Sequence, residues 1–587
     1  MTLLARLSRL ERDGLIEMAH AHPELEYLFR HGLIKDAAYF GLLKGDRRAL
    51  HRAVGEALEQ AADPTRDRLP ALAVHFSEAG EGARALRYST LAGDAAAAAY
   101  ANAEAIAHYT RALGWAVEAA CPPEQVQHLH LALGRAQELS GDYPAALATY
   151  QALQAAGQAR QAPALVLSAL TRRVVAHSVP SPSYDAAAAE RLTAEALPLA
   201  ESLGDCAAEA RLRWAEMLTT HTLGRVAEAL RSGEQALELA RAAGDRDLLA
   251  TVLQDLSRIH MSWGTPARAE TLLAEALELW RALHNVPMLA ETTTTLGGLA
   301  FFRGRYAEAL ELLRASQALS QSIGNAWGIA YSLMYQSYLL LDRGDFGAAL
   351  AAVRGCLEHG ERGGFFYPQA GVQPVLGVIL TYLGQDAEAE AALDRAYSAC
   401  ERFVPAEIAG VHAMRAWRRL LLHDFAGAAE GAAAARTTLN PDDHLTATPY
   451  ILTMVEVELE LFAGRPAAAL EGVRQRLTLE GHIGTQAFIT DLHRLEGVAL
   501  LALGDPATAE TVLLAAHAQA TAQPSHRALW TIALALARTA AARGDAAGAA
   551  QWQAIAAHQR DYLAAHIDDP AQRAAFLARA DQLALTH

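Results

Sequence analysis

An all-α solenoid of paired helices is the fold class this sequence predicts, and three observations carry it. The stretch Gly304-Arg305-Tyr306-Ala307-Glu308-Ala309-Leu310 has close copies about every forty residues. Equivalent turn positions fall at Gly141, Gly224, Gly264, Gly304, Gly344, Gly384, His423, Gly464, Gly504 and Gly544, and from Gly224 onward every interval is 39 to 41 residues. A period that regular marks a helical repeat array. Five residues after each turn position stands an alanine: Ala146, Ala229, Ala269, Ala309, Ala349, Ala389, Ala428, Ala469, Ala509 and Ala549. So small a side chain lets two helix backbones approach, where a larger one would overpack the contact by about 1–3 kcal/mol. Finally, hydrophobic residues make up 52% of the 587 positions but aromatics only 6%; the excess is alanine and leucine, which suits close-packed helices.

Within the unit, Gly304 supplies the positive φ that ends one helix, and Tyr306 opens the next. Seven residues before the turn a second small position recurs at Gly134, Ser257, Gly297, Ser337, Gly377, Ala416, Gly497 and Ala537, while Met217 and Val457 break the rule. A second corner stands between the turns at Gly204-Asp205, Gly244-Asp245, His284-Asn285 and Gly324-Asn325, again 40 apart. Helices of roughly 16 residues, about 24 Å long, follow from that spacing.

Taken in order, residues 1–45 stand outside the repeat. Leu3, Leu4, Leu7 and Leu10 make a short amphipathic helix closed by Asp13-Gly14, and Leu15–Met18 and Glu26–Phe29 read as two strands across a turn from His20 to Glu24. Helix followed by hairpin looks like the end of a winged-helix domain. Residues 46–69 are a connecting helix and linker. Residues 70–560 hold about twelve repeats, opening around the corner Ala79-Gly80-Glu81-Gly82, with Asn102–Ala105 aligning with Tyr306–Ala309. Pro122-Pro123 and Val179-Pro180-Ser181-Pro182-Ser183 are the clearest breaks. Residues 561–587, with Phe576 and Leu577, are expected to cap the exposed end of the stack.

Small residues on either side of a Gly-Asp-Tyr-like turn resemble the tetratricopeptide repeat (TPR), in a long variant that lacks the proline closing the usual repeat. That resemblance implies a right-handed superhelix whose first helices line a concave groove. The segment Phe29-Arg30-His31-Gly32-Leu33-Ile34-Lys35-Asp36-Ala37-Ala38-Tyr39, followed by Arg47, Arg48, Leu50 and His51, is similar to the stretch joining the ATPase module to the TPR array in bacterial STAND-type signalling ATPases, relatives of LuxR-type regulators and multidomain nucleotide cyclases. The P-loop and Walker B strand of that family are absent, and no helix-turn-helix or cyclase domain follows. The chain therefore reads as the C-terminal part of a longer protein or as one that has lost its motor, with a natural C-terminal end. The resemblance makes His31 a candidate nucleotide-sensing residue with Arg47 or Arg48 beside it. The alternative is that Phe29, His31, Tyr39 and His51 simply pack the N-terminal segment on the first repeat helices.

The formal charge of −16 argues against a general nucleic-acid surface. Arg6, Arg9 and Arg12 are interleaved with Glu11, Asp13, Glu17, Glu24, Glu26 and Asp36, which repel phosphate. Lys35 and Lys44 are the only lysines, and no Walker A loop surrounds either. Cys121, Cys206, Cys356 and Cys400 form no C-x-x-C pair, which fits a reducing cytoplasm, and no apolar run approaches the length of a membrane span. His20/His22 and His128/His130 are i, i+2 pairs, which point to different sides of a helix. No catalytic residue, cofactor or metal is expected. Transferring TPR geometry instead places Trp214, Arg258, Phe301, Phe302, Tyr331, Met334, Tyr338, Tyr382 and Trp417 on or near the groove, beside the irregular Gly363–Pro368 corner. Exposed aromatics and Met with a nearby Arg favour a protein or peptide partner, or a small inducer, while packing between helices is the alternative for any single one of them. The expectation is a non-enzymatic interaction or ligand-sensing arm of a STAND-like signalling or transcription-regulating ATPase. The alternatives are a free-standing TPR scaffold, or part of a LuxR-type regulator or cyclase.

Overall fold

The structure, a computed structural model, describes residues 3–20, 26–60, 68–99, 101–116, 121–179, 181–365, 367–440 and 447–584. The expected turn through His22 and Glu24, and Pro180 and Phe366, lie outside the described residues. The chain divides into two compact units, Met1–Ala169 and Leu170–His587, and apart from one hairpin the regular elements among the described residues are helices.

In the first unit, α1 (Leu3–Arg12) is followed by β1 (Ile16–His20) and β2 (Glu26–Phe29), which pair antiparallel with Ile16 opposite Phe29. Gly14 takes the positive φ that turns α1 into β1. These elements and α2 (Gly32–Phe40) enclose no core of their own: among the described residues up to Leu43, Ile16 alone is buried. Regular packing begins with α3 (Lys44–Gln60) and α4 (Leu69–Ala79), and continues through α5 (Gly82–Ala98), α6 (Asn102–Ala116), α7 (Pro123–Leu139), α8 (Tyr143–Ala159) and α9 (Pro163–Ser178). Leu72, Phe76 and Tyr88 form the first small core, with Phe76 stacked on Tyr88 at 5.4 Å between ring centres.

The second unit opens within α9, continues with α10 (Ala186–Leu203) and then runs as nine helical hairpins: α11 (Cys206–Thr222) with α12 (Val226–Ala243), α13 (Arg246–Ser262) with α14 (Pro266–Ala282), α15 (Val286–Phe302) with α16 (Tyr306–Ser322), α17 (Ala326–Arg343) with α18 (Phe346–Arg362), α19 (Tyr367–Tyr382) with α20 (Asp386–Phe403), α21 (Ile408–Leu421) with α22 (Phe425–Thr438), α23 (Ala447–Phe462) with α24 (Pro466–Ile483), α25 (Ile489–Ala502) with α26 (Pro506–Ala522), and α27 (His526–Ala542) with α28 (Ala546–Ala565). Two short helices, α29 (Pro570–Ala578) and α30 (Ala580–Leu583), complete it.

The repeated small residues pack as their spacing requires. All ten alanines after the turns are buried. The small residue on the first helix faces the side chain four positions beyond that alanine on the second. A Cβ added at Gly297 would lie 2.9 Å from Leu313, at Gly377 3.0 Å from Leu393, and at Gly497 2.4 Å from Leu513. Met217, one of the two exceptions, shows why the rule bends: the residue opposite it is Gly233, where an added Cβ would meet the Met217 sulfur at 2.6 Å. Size has simply changed sides. At the second corner Asp205, Asp245, Asn285 and Asn325 cap the following helix, each accepting a backbone N–H three residues on at 2.9–3.2 Å. His284 and His423, standing where the other repeats have glycine, hold positive φ values of 53° and 60°.

Sequence periodicity does not reveal that the second unit coils back on itself. The carbonyl of Phe302 accepts the amides of Gln486 and Ala487 at 2.8 and 3.2 Å, and the Gly347 amide donates to the His566 carbonyl at 2.9 Å. Arg527 donates to Asp342, 185 residues earlier, at 2.7 Å, and Arg579 grips Asp386 with both terminal nitrogens at 3.0 and 2.9 Å. The turn edges of α15–α22 thus meet the edges of hairpins four to five repeats later, along a seam. The segment expected only to cap the stack lies on this seam as well: His423 Nε2 is 3.1 Å from the Gln582 carbonyl oxygen, and Phe576 is buried against Phe346 and Trp530.

Candidate partner-binding face

The first helices of the hairpins from α11 to α21 carry a ladder of polar and aromatic side chains. Trp214 Nε1 on α11 donates to Asp255 Oδ2 on α13 at 2.7 Å. The other oxygen of Asp255 pairs with Arg258 one turn later, and Arg258 Nη1 reaches Glu291 on α15 at 3.3 Å. One guanidinium therefore serves two carboxylates. Desolvation pushes the Glu291 carboxyl up to about 7, with Arg258 opposing and Asp255 adding to the shift. Burial also works against the charge on Arg258, yet Asp255, Tyr331 and Glu291 outweigh it and hold its pKa well above the usual value. His221, hydrogen-bonded to Ser262 at 3.2 Å, is pushed down to about 4 by burial and by Arg258, so it is neutral at pH 7.

Further along, the hydroxyls of Thr295 and Tyr331 lie 3.2 Å apart, and the Tyr331, Tyr335 and Tyr338 rings follow one another at 5.6 and 6.3 Å. Gly298 makes room for Tyr335, whose ring an added Cβ would meet at 2.5 Å. Tyr338 donates to the Gly371 carbonyl at 2.9 Å, and Tyr367 to Glu407 Oε1 at 2.7 Å. Burial, eased by that Tyr367 bond, raises the Glu407 carboxyl. At the irregular corner Trp327 packs on Phe365 at 4.7 Å and on Tyr331 at 5.1 Å.

The nine residues expected on the groove divide by burial. Trp214, Arg258, Phe302 and Tyr338 are half-buried. Phe301, Tyr331, Met334, Tyr382 and Trp417 are buried, a correction to their expected exposure. At two of them the seam adds to that burial: Phe301 meets Phe488 at 6.1 Å, and Arg527 lies over the Trp417 ring at 5.6 Å; Tyr331 is covered by its neighbours Trp327, Tyr335 and Phe365. Tyr382 stacks on Phe346 at 4.6 Å. Phe302, whose carbonyl takes the two seam amides, belongs to that edge too. The ladder brings together Trp214 with Arg258, and Tyr331 with Tyr338. Asp255, Glu291, Tyr335, Tyr367 and Glu407 are members that sequence reading passed over. One had a signal: nine residues before the turn, Asp255 puts a charge at a position that most other repeats fill with an apolar side chain.

In the first unit His31 is exposed at the start of α2, and its side chain makes no capping bond. Arg47 lies over the Tyr39 and Phe40 rings. Tyr39 and His51 do pack onto the repeats, with Tyr39 Oη 2.9 Å from His51 Nε2 and His51 Nδ1 2.9 Å from His75 Nδ1; Phe29 stays exposed. His128 and His130 point apart, to Asp94 and to the Val126 carbonyl. Among the described residues no group of three or more His, Cys, Asp or Glu side chains is placed to hold a metal, and no helix is long and apolar enough to cross a membrane.

No curated protein sequence matches the chain. Among solved structures it is similar to a Rap protein complexed with competence and sporulation factor, at 14% identity and TM-score 0.49, covering 62% of this chain and 99% of that one. It is also similar to a signal transduction ATPase with numerous domains (STAND) protein with a tetratricopeptide repeat sensor from Pyrococcus horikoshii, at 14% identity and TM-score 0.40, covering 69% of this chain and 61% of that one. Yeast Tom70 is similar at 12% identity and TM-score 0.32 over 87% of this chain and 100% of that one. The tetratricopeptide repeat family model matches residues 206–282, the span of α11 to α14. The fold is an all-α, tetratricopeptide-like helical solenoid.

Proposed function

We propose that the second unit is a non-enzymatic binding scaffold whose ladder face receives a protein segment or peptide. The observation that carries this reading is the half-buried run of Trp214, Arg258, Glu291, Tyr335, Tyr338 and Tyr367. Aromatic rings and an arginine fixed by neighbouring hydrogen bonds offer contact area at little cost in side-chain freedom. Random peptides selected by display against the full chain provide the test. Selected peptides should bind Arg258→Ala and Tyr338→Ala variants at least tenfold more weakly while circular dichroism stays unchanged; equal affinity for wild type and both variants would retire the reading.

Within that role, the chain acts as the cytoplasmic sensing arm of a STAND-like signalling ATPase, with protein, peptide or small inducer as the signal. The sequence likeness of Phe29–His51 supports this, and so does the apolar surface of the first unit. Leu33 is 83% and Leu43 75% exposed, with Leu3, Leu4 and Phe40 also in solvent, more than scattered surface apolar residues explain. A free-standing scaffold is the alternative. An in-frame P-loop encoded upstream in the genome supports the arm, and a stop codon there supports the scaffold.

A further inference from the structure

The seam of the second unit is built differently from the contacts between neighbouring hairpins. Neighbours meet through alanine, glycine and leucine; much of the seam is made by backbone amides, carbonyls and charged side chains. At its centre Arg527 is held between two carboxylates, Asp491 Oδ2 at 2.6 Å and Asp342 Oδ1 at 2.7 Å, and all three side chains are buried. Asp491 lies on α25, on the same side of the seam as Arg527, whereas Asp342 ends α17 on the opposite side. Asp342 also accepts the Tyr306 hydroxyl, from its own side, and its backbone carbonyl takes the Ser525 hydroxyl at 2.8 Å across the seam.

We propose that this seam is a reversible latch, with Arg527 shared between a carboxylate on each side so that the turns of the solenoid can part and reclose. Separating a buried ion pair is costly chiefly because it leaves one charge without a partner. Here that cost is reduced: the guanidinium keeps a counter-charge and the carboxylate keeps a hydrogen bond. On parting, Arg527 keeps Asp491 and Asp342 keeps the Tyr306 hydroxyl. A second pair at the outer end of the seam, Arg579 with Asp386, has both side chains about one-third exposed, so water replaces that contact readily. Opening would uncover the edges carrying Phe301, Phe488 and Trp417.

Two substitutions separate a latch from a static network, because the latch requires them to act in opposite directions. Asp342→Asn weakens the cross-seam partner and leaves Arg527 on Asp491, so the seam should open more often. Asp491→Asn leaves Arg527 with its only carboxylate across the seam, so parting would orphan it and the seam should open less often. Hydrogen exchange of the full chain reads this at the Gln486, Ala487 and Gly347 amides, which donate across the seam. Exchange there should rise roughly tenfold or more in Asp342→Asn and fall in Asp491→Asn, with the Ala309 and Ala349 amides inside hairpins unchanged. Faster exchange in both variants, or no change in either, overturns the proposal. If Asp342→Asn fails to fold, Asp491→Asn decides alone: slower exchange than wild type supports the latch, and equal or faster exchange refutes it.

Discussion

Substituting Gly497 by alanine sets two effects of known sign against each other. Gly497 lies inside α25, so a methyl group should stabilise the helix by about 0.5–1 kcal/mol through lost backbone freedom in the unfolded chain. The same methyl would lie 2.4 Å from Leu513 Cγ and 2.7 Å from its Cδ2, an overlap that repacking relieves at about 1–3 kcal/mol. The clash wins, and Gly497→Ala should destabilise the α25/α26 hairpin by roughly 0.5–2 kcal/mol. Leu513→Ala alone should cost about 2–5 kcal/mol, since Leu513 is fully buried. In that background the obstacle is gone, and adding Gly497→Ala should now stabilise by about 0.5–1 kcal/mol. Amide exchange within α25 and α26 is the suitable readout, because a long repeat array need not unfold in one step. A Gly497→Ala effect of the same sign in both backgrounds would show that the glycine does not exist to admit Leu513.

Ala309→Leu should cost about 1–3 kcal/mol while Glu308→Ala does little, as paired urea midpoints will show. Tyr331→Ala should destabilise by about 3–5 kcal/mol as a buried aromatic, whereas Tyr338→Ala should retain more of the wild-type melting temperature. Residues 1–587 alone should show no saturable micromolar binding of labelled ATP, because neither Lys35 nor Lys44 stands in a P-loop. Two groups on the ladder titrate in opposition. Glu291, raised from 4.5 to about 7, adds stability that is full below pH 4.5 and is lost as pH rises to 7. His221, lowered from 6.5 to about 4, adds stability that is full above pH 6.5 and is lost as pH falls to 4. Glu291→Gln should therefore leave a protein that weakens on acidification from pH 6.5, and His221→Gln one that weakens on alkalinisation toward pH 7, each by up to about 3 kcal/mol. Melting temperatures across pH 4–8 test this, and parallel profiles for the two variants would refute it.

The fold was legible in the sequence wherever its determinant lay within about forty residues. The turn glycines, the alanine five places on and the capping Asp and Asn are local requirements, and each leaves a mark at a fixed offset. Met217 looked like a violation only because its partner Gly233, sixteen residues later, was not read together with it. The candidate face was legible in part. Trp214 and Arg258 stand on the ladder, while Phe301, Tyr382 and Trp417, expected on or near the groove, are buried. Their burial depends on contacts such as Arg527 with Asp342, fixed by how tightly successive hairpins rotate. That rotation is the sum of many small packing angles, and no single residue encodes it.

The seam also limits how this array can change length. Solenoids ordinarily gain or lose repeats freely, since each unit touches only its neighbours. Here the Gly224 carbonyl accepts from Asn440, Asp342 from Arg527 and Asp386 from Arg579. Duplicating one hairpin between any two of these partners would carry the later one a whole unit past the earlier, as a nut is carried along a screw. Gene-level shuffling of the hairpins is therefore penalised inside residues 224–582, and a working protein with an inserted repeat there must have rebuilt the entire edge.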